Sequence, residues 1–220
     1  MLQVLILGAG GHAQVVADIL MRARDAGERI KLIGYLDDNL YADDKTLLGL
    51  PVLGHLADVA NVAHDALVIA IGDNCTRRNL FDQLQRQGEH FVAAKHPAAV
   101  IAPDVSIGPG AVVCAGVVVN PGSVIGADVI LNTGCTVDHH NRIGDHAHIA
   151  PGVHLGGEVQ VGAGALVGIG AVVLPTRCIG PWSVVGGGTV VLDDIPGGAV
   201  AVGVPARVVK YLERVGNEKQ

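Results

Sequence analysis

Aromatic residues are nearly missing from this chain: one Trp, three Tyr and two Phe stand among its 220 residues. Aromatic rings usually supply much of the buried bulk of a thick core. Here Val, Ile, Ala and Gly must do the packing, which suits a thin, repetitive interior. An excess of cations is missing as well. The net charge is −6, and binding to a phosphate backbone needs a basic face, so nucleic acid is excluded as the expected partner. The four cysteines, Cys75, Cys114, Cys135 and Cys178, are widely spaced and form no CxxC. They read as free thiols of a reducing compartment. No run approaches the roughly 20 apolar residues of a membrane span. The opening "MLQVLILGAG" lacks the basic n-region of a secretory signal. The expectation is a cytoplasmic protein without a membrane span.

What is abundant is glycine, 31 residues, and a hydrophobic half of the composition. From Ile101, every sixth residue through Val191 is Val, Ile or Leu: Ile101, Ile107, Val113, Val119, Ile125, Leu131 and onward without a break. Two positions before each aliphatic the residue is mostly small, as at Ala111, Ser123, Cys135, Ala147 and Ala165. A longer period lies on top. Ile107-Gly108, Ile125-Gly126, Ile143-Gly144, Val161-Gly162 and Ile179-Gly180 recur at eighteen-residue steps. Three hexads therefore make one coil, and about five coils stack as a triangular parallel β-helix. Glycine suits its corners because it tolerates positive φ.

The first half reads differently. A strand from Val4 to Leu7 runs into Gly8, Gly10 and Gly11, and a helical pattern follows with Val15, Val16, Ile19 and Leu20. A second strand, "KLIGYLDD", ends at Asp37 and Asp38; a third, "ALVIAIGDN", ends at Gly72, Asp73 and Asn74. Another helix carries Arg77, Arg78 and Leu84, and a last strand is expected near "HFVAAKHP". Alternating strand and helix predicts a small parallel α/β domain of Rossmann type. Its ligand belongs beyond the carboxyl ends of the strands, where Gly10, Asp37 and Gly72 converge. "GAGGHA" alone leaves three readings open: an empty tight turn, a dinucleotide site, or a nucleotide-sugar site. In the third, helix N–H groups hold phosphate, the carboxylates take base or ribose, and His12 reaches phosphate or sugar. The expected division is residues 1–95 for this domain, 96–207 for the β-helix, and 208–220 for a tail with a short helix.

Five of the ten histidines lie between Ile130 and Gly157: His139, His140, His146, His148 and His154. The ordered set "GAGGHA", "LDD", "AIG.N..R", "VDHHNRIG" and "VGVPARVVK" resembles one family across nearly the whole chain. It is the PglD/NeuD type of bacterial sugar acetyltransferase, within the hexapeptide-repeat acyltransferases. The resemblance implies a left-handed β-helix, a homotrimer with active sites between subunits, and acetyl-CoA as co-substrate. It implies that His139 is the general base. The residue after the base is acidic in many relatives, and His140 departs from that pattern, so the partner that orients the base falls to His140 itself, Asp138 or Asp145. His148, the Gly157 N–H, Ile169 and Gly187 match positions that line acetyl-CoA, and Gly203–Arg207 matches a terminal loop over the cofactor. Gly10, Gly11, His12, Asp37, Asp38 and Gly72 are the expected substrate residues.

His146 and His154 match nothing in the family and read as surface residues. A metal site is not expected: zinc-binding relatives of this fold pair two histidine ligands five residues apart, a spacing absent here. The reaction implied is N-acetylation of a nucleotide-linked amino sugar, with a UDP-4-amino-4,6-dideoxyhexose as the expected acceptor. O-acetylation of sialic acid and a non-catalytic nucleotide-sugar-binding trimer are the alternatives.

Overall fold

The computed structural model describes residues 1–39 and 46–212. The chain opens on a mostly parallel sheet with β1 (Leu2–Leu7) as an interior strand. β1 pairs with β2 (Ile30–Leu36) on one side and with β5 (Ala66–Ile69) on the other. Beyond β2 lies β4 (Leu50–Gly54), which forms a hairpin with β3 (Thr46–Leu47). Val4 to Leu7 are fully buried, as a strand covered on both faces requires. Helix α1 (Gly11–Asp25) follows β1 and buries Ala13, Val16, Ala17, Ile19, Leu20 and Ala23, one face at helical spacing. Helix α2 (Asn74–Arg86) follows β5, with Asp73 as its N-cap accepting from the Thr76 N–H at 2.8 Å. Gly8 is required where β1 meets β5. Its φ is 105°, and a β-carbon there would stand 2.9 Å from the Ala70 carbonyl oxygen.

The strand expected near residue 91 is split. Phe91 makes a single bridge to Leu67. Ala94–Lys95 already pairs with Val112–Val113 in the β-helix. The expected first domain, ending at residue 95, thus takes in a two-residue strand that pairs with the β-helix.

From there two-residue strands recur once per hexad and pair with the strand eighteen residues on, as Val118 with Thr136 and Thr136 with His154. They build three faces. The first contains Val112–Val113, Ile130–Leu131, His148–Ile149, Leu166–Val167 and Val184–Val185. The second contains Val118–Val119, Thr136–Val137 and His154–Leu155, and the third Val124–Ile125, Arg142–Ile143 and Gln160–Val161. Val113, Leu131, Val137, Ile149, Val167, Ile179, Val185 and Val191 are fully buried, so the sixfold aliphatics are the interior column.

Every sixth residue from Gly110 to Gly188 turns a corner with positive φ. Six of these are not glycine: Asp128, His140, His146, Glu158, Thr176 and Trp182. A side chain in this region is strained, so each marks a place where something local holds it. The corner between the first and second faces is glycine throughout, from Gly116 to Gly188. The corner between the third and first faces receives α2. A β-carbon at Gly110 would meet Phe81; Asp128 takes Arg77; His146 meets Arg77 and Phe81; the Gly164 carbonyl takes Asn74; and Trp182 lies under Arg78. The outward side of the first face is covered by the N-terminal domain, and Val112 and Ile130 are buried there although they point out of the prism.

The chain ends in a hairpin. Ala199–Val202 extends the first face beside Val184–Val185, and Arg207–Tyr211 returns antiparallel to it. The start of the tail is therefore a strand where the sequence suggested a helix; residues 213–220 lie outside the described residues. Among the described residues no helix is long and apolar enough to cross a membrane.

Candidate active site

The carboxyl ends of β1, β2 and β5 open on a cavity of about 460 Å3. Its lining includes Gly10, Gly11, His12, Asp37, Asp38 and Gly72, so the structure brings all six expected substrate residues to one place. Gly10 caps α1 without a side-chain bond. The first-turn N–H groups therefore have no side-chain acceptor and can serve an anion. A β-carbon at Gly10, Gly11 or Gly72 would meet no atom within 4 Å. Packing does not demand these glycines; they leave room. The two carboxylates differ. Asp37 accepts from the backbone N–H groups of Ala9 at 2.6 Å and Asn39 at 2.7 Å. Asp38 accepts from Leu56 N–H at 2.9 Å, with His55 at 3.7 Å. Asp37 thus shapes the glycine turn, and Asp38 is the more open of the pair.

His12 sits at the mouth of the turn with its Nε2 buried and without a partner. Burial, assisted by the Arg77 charge, pushes its pKa down to about 4. His148 projects from the first face beside this cavity. Its Nε2 accepts from Asn132 Nδ2 at 3.2 Å, and its ring is also hydrogen-bonded to the Gly72 backbone. Burial, with Arg77 and His12 nearby, lowers its pKa to about 4 as well. Both rings are neutral at neutral pH.

His139 and His140 occupy the corner between the second and third faces. The face carrying His148 and the N-terminal domain lies on the opposite side of the prism. In one chain, then, the base candidate and the cavity do not meet. His139 is exposed, and its ring lies over Gly157 of the next coil. His140, at φ 58°, folds back over Gly122 of the previous coil. The two rings meet edge to face with Nδ1 to Nδ1 at 3.1 Å. Neither suggested carboxylate reaches the His139 ring. Asp138 accepts from the His139 backbone N–H and from Asn120, and Asp145 accepts from the Ala127 N–H. The Gly156 N–H serves Val173 and the Glu158 N–H serves the His139 carbonyl, whereas the Gly157 N–H makes no backbone bond among the described residues.

The sequence reading missed Asn141. It is buried in the column that mostly holds small or apolar residues. Its Nδ2 donates to the carbonyls of Asp138 at 2.7 Å and Gly156 at 2.9 Å, bracing the turn that carries His139 against the turn that carries Gly157. The one amide in a hexad column made mostly of Ala, Val, Ser, Thr and Cys was the available signal. The surface assignment of His146 is corrected: it is 9 % exposed, and its Nδ1 lies 2.9 Å from Asp128. His154 is exposed and bonds Thr136. Ile169, 66 % exposed, and Gly187 lie beside the all-glycine corner. All four cysteines are free thiols.

The fold and site define a parallel β-helix enzyme with a Rossmann-like domain set against one face. Residues 3–84 match the family model of the PglD N-terminal domain. PerB from Caulobacter crescentus, solved with CoA and GDP-perosamine, is 40 % identical with a TM-score of 0.85; the match covers 94 % of this chain and 97 % of that one. The acetyltransferase domain of PglB from Neisseria gonorrhoeae FA1090, solved with acetyl coenzyme A, is 32 % identical with a TM-score of 0.86, covering 94 % and 98 %. WeeI from Acinetobacter baumannii AYE is 29 % identical with a TM-score of 0.85, covering 95 % and 100 %. A comparison with curated proteins gives no match. The chain belongs to the PglD-type family of bacterial sugar acetyltransferases, and its β-helix is of the left-handed hexapeptide type.

Proposed function

We propose that the enzyme transfers the acetyl group of acetyl-CoA to the amine of a nucleotide-linked amino sugar. The observation that carries this is the glycine-lined cavity beside His148: an anion-ready helix start and an open carboxylate suit a nucleoside diphosphate, and the sugar end leads toward the β-helix. The PerB structure, which holds both CoA and GDP-perosamine, supports the pairing. The nucleotide is UDP on the sequence reading, and PerB gives GDP equal standing as an arm of the test.

His139 is the proposed general base. With Nδ1 engaged by His140, Nε2 is the nitrogen that takes the amine proton as the amine attacks the thioester carbonyl. Nε2 stands beside Gly157, whose N–H is the proposed donor to the developing oxyanion. The C–S bond then breaks and CoA leaves as thiolate. His140, an imidazole where many relatives have an acid, orients the ring without adding negative charge. Ile169, Gly187 and the side-chain-free glycine corner are proposed to line the cofactor, with His148 near the acyl end.

Because the cavity and His139 lie on opposite sides of one prism, a second copy must supply the base. A cyclic homotrimer meets this need for every site. Reliance on acetyl-CoA accords with the cytoplasm.

The test is thiol release from acetyl-CoA with UDP-, dTDP- and GDP-linked 4-amino sugars and with free sialic acid. His139→Ala is expected to lower kcat by about 10²- to 10⁴-fold while keeping acetyl-CoA affinity and assembly. Near-wild-type turnover in that variant removes His139 as the base. Turnover with sialic acid alone moves the enzyme to O-acetylation.

A further inference from the structure

Arg77 is fully buried, yet it belongs to neither group of expected site residues. Its guanidinium donates in three directions. Nη1 donates to the carbonyls of Ile71 at 3.1 Å and Gly72 at 3.4 Å, both of which line the cavity, and to Asn74 Oδ1 at 3.0 Å. Nε donates to the Asp128 carboxylate at 3.0 Å and to its carbonyl at 3.2 Å. Nη2 donates to the His146 carbonyl at 2.6 Å, two residues before His148. One rigid fork thus holds the cavity floor and the strand carrying His148.

We propose that Arg77 is a positioning residue for catalysis, fixing the nucleotide-sugar cavity against the His148 strand so that the sugar amine and the acyl end meet in register. Fixing two domains together needs no buried cation, since apolar packing does the same where Phe81 and Phe91 lie against Gly110 of the β-helix. A buried charge is costly unless paired. Its distinctive effect falls on its neighbours. Burial chiefly disfavours protonation of His12 and His148, and the nearby Arg77 charge adds to it, so each ring keeps an acceptor nitrogen. The other charged or titratable groups around Arg77 are Asp128, Asp73 and Cys75, and His146 follows through Asp128.

This role rests on the nucleotide-sugar reading of the cavity. The test compares wild type with Arg77→Lys, Arg77→Met and Asp128→Asn, each first checked for its melting transition and assembly. Calorimetric binding of UDP- and GDP-linked amino sugars and of acetyl-CoA is measured separately. Ring titrations are followed by NMR on histidine-labelled protein. Arg77→Lys is expected to lower kcat/KM for the nucleotide sugar by about ten- to hundredfold. Its acetyl-CoA affinity should stay within a fewfold, because Ile169 and Gly187 lie on another corner. In Arg77→Met, or in Arg77→Lys if the first does not assemble, the His12 and His148 midpoints rise from near 4, and Asp128→Asn gives an intermediate loss of kcat/KM. A purely structural Arg77 predicts activity that scales with the folded fraction, with KM and both titrations unchanged, and that result overturns the proposal. If wild type binds neither nucleotide sugar, the cavity reading falls and this role with it. If wild type binds and Arg77→Lys binds equally well, the role alone falls.

Discussion

The imidazole of His139 rests on the bare α-carbon of Gly157, one coil further along the same corner. A β-carbon at Gly157 would stand 2.5 Å from His139 Cε1 and 2.6 Å from Nε2. Backbone conformation does not demand glycine here, since Gly157 is not among the positive-φ positions. Gly157→Ala should therefore fold and assemble while displacing the ring, with kcat lowered by about 10²-fold. Steady-state kinetics beside a melting curve checks it, and an unchanged kcat would separate the ring's position from the chemistry.

Gly72 makes the same argument for the cavity. Nothing lies within 4 Å of a β-carbon placed there. Gly72→Val should leave the melting temperature close to that of wild type and weaken the nucleotide sugar by about tenfold or more, as the branched side chain fills ligand space. Calorimetry with the nucleotide sugar, and with acetyl-CoA as control, reads the difference.

Asn141 offers a test with a built-in control, because Val153 and Val159 hold the same hexad place and are fully buried. Asn141→Val should be accommodated in volume but leaves the Gly156 carbonyl without its side-chain donor, at about 1–3 kcal/mol of stability. The brace between the His139 and Gly157 turns is lost, and kcat should fall more steeply than acetyl-CoA affinity. Equal kcat in the variant would reduce Asn141 to a packing residue.

Acid should destabilise the fold through His12 and His148. Both have folded-state pKa values lowered from 6.5 to about 4, chiefly by burial. The unfolded chain then binds more protons between those limits, so stability falls as pH drops from about 6.5 toward 4 and is fully present above 6.5. Denaturant titrations across this range should show the loss. His12→Gln and His148→Gln should each flatten the slope.

Much of this was legible because side-chain size repeats. The sixfold aliphatics reported the prism interior directly, and the glycine-rich strand ends reported the cavity, since both are local patterns. What stayed hidden depends on contacts between distant residues. His146 looked like a surface residue because its hexad gives no sign that α2 will dock on that corner, where Arg77 and Phe81 come from about seventy residues earlier. The corner rhythm of positive φ was obscured for the same reason. Asp128, His146 and Trp182 occupy it under α2, and glycine alone could not be followed through them. The Arg207–Tyr211 strand exists because Ala199–Val202 offers an edge, which the tail sequence does not announce.

Repeat proteins commonly lengthen and shorten by whole units, since each unit touches only its neighbours. Helix α2 removes that freedom here. It assigns a named partner to each coil from Gly110 to Trp182, so the helix acts as a gauge with one mark per coil. Deleting one eighteen-residue coil between the Gly110 and Asp128 marks would leave every coil intact as a coil yet slide each later mark to the wrong one. Arg77 would then face the His146 imidazole in place of the Asp128 carboxylate. Growth by duplication is open only past the last mark, toward the carboxyl end, and coil number in the upper prism is inherited together with the helix that counts it.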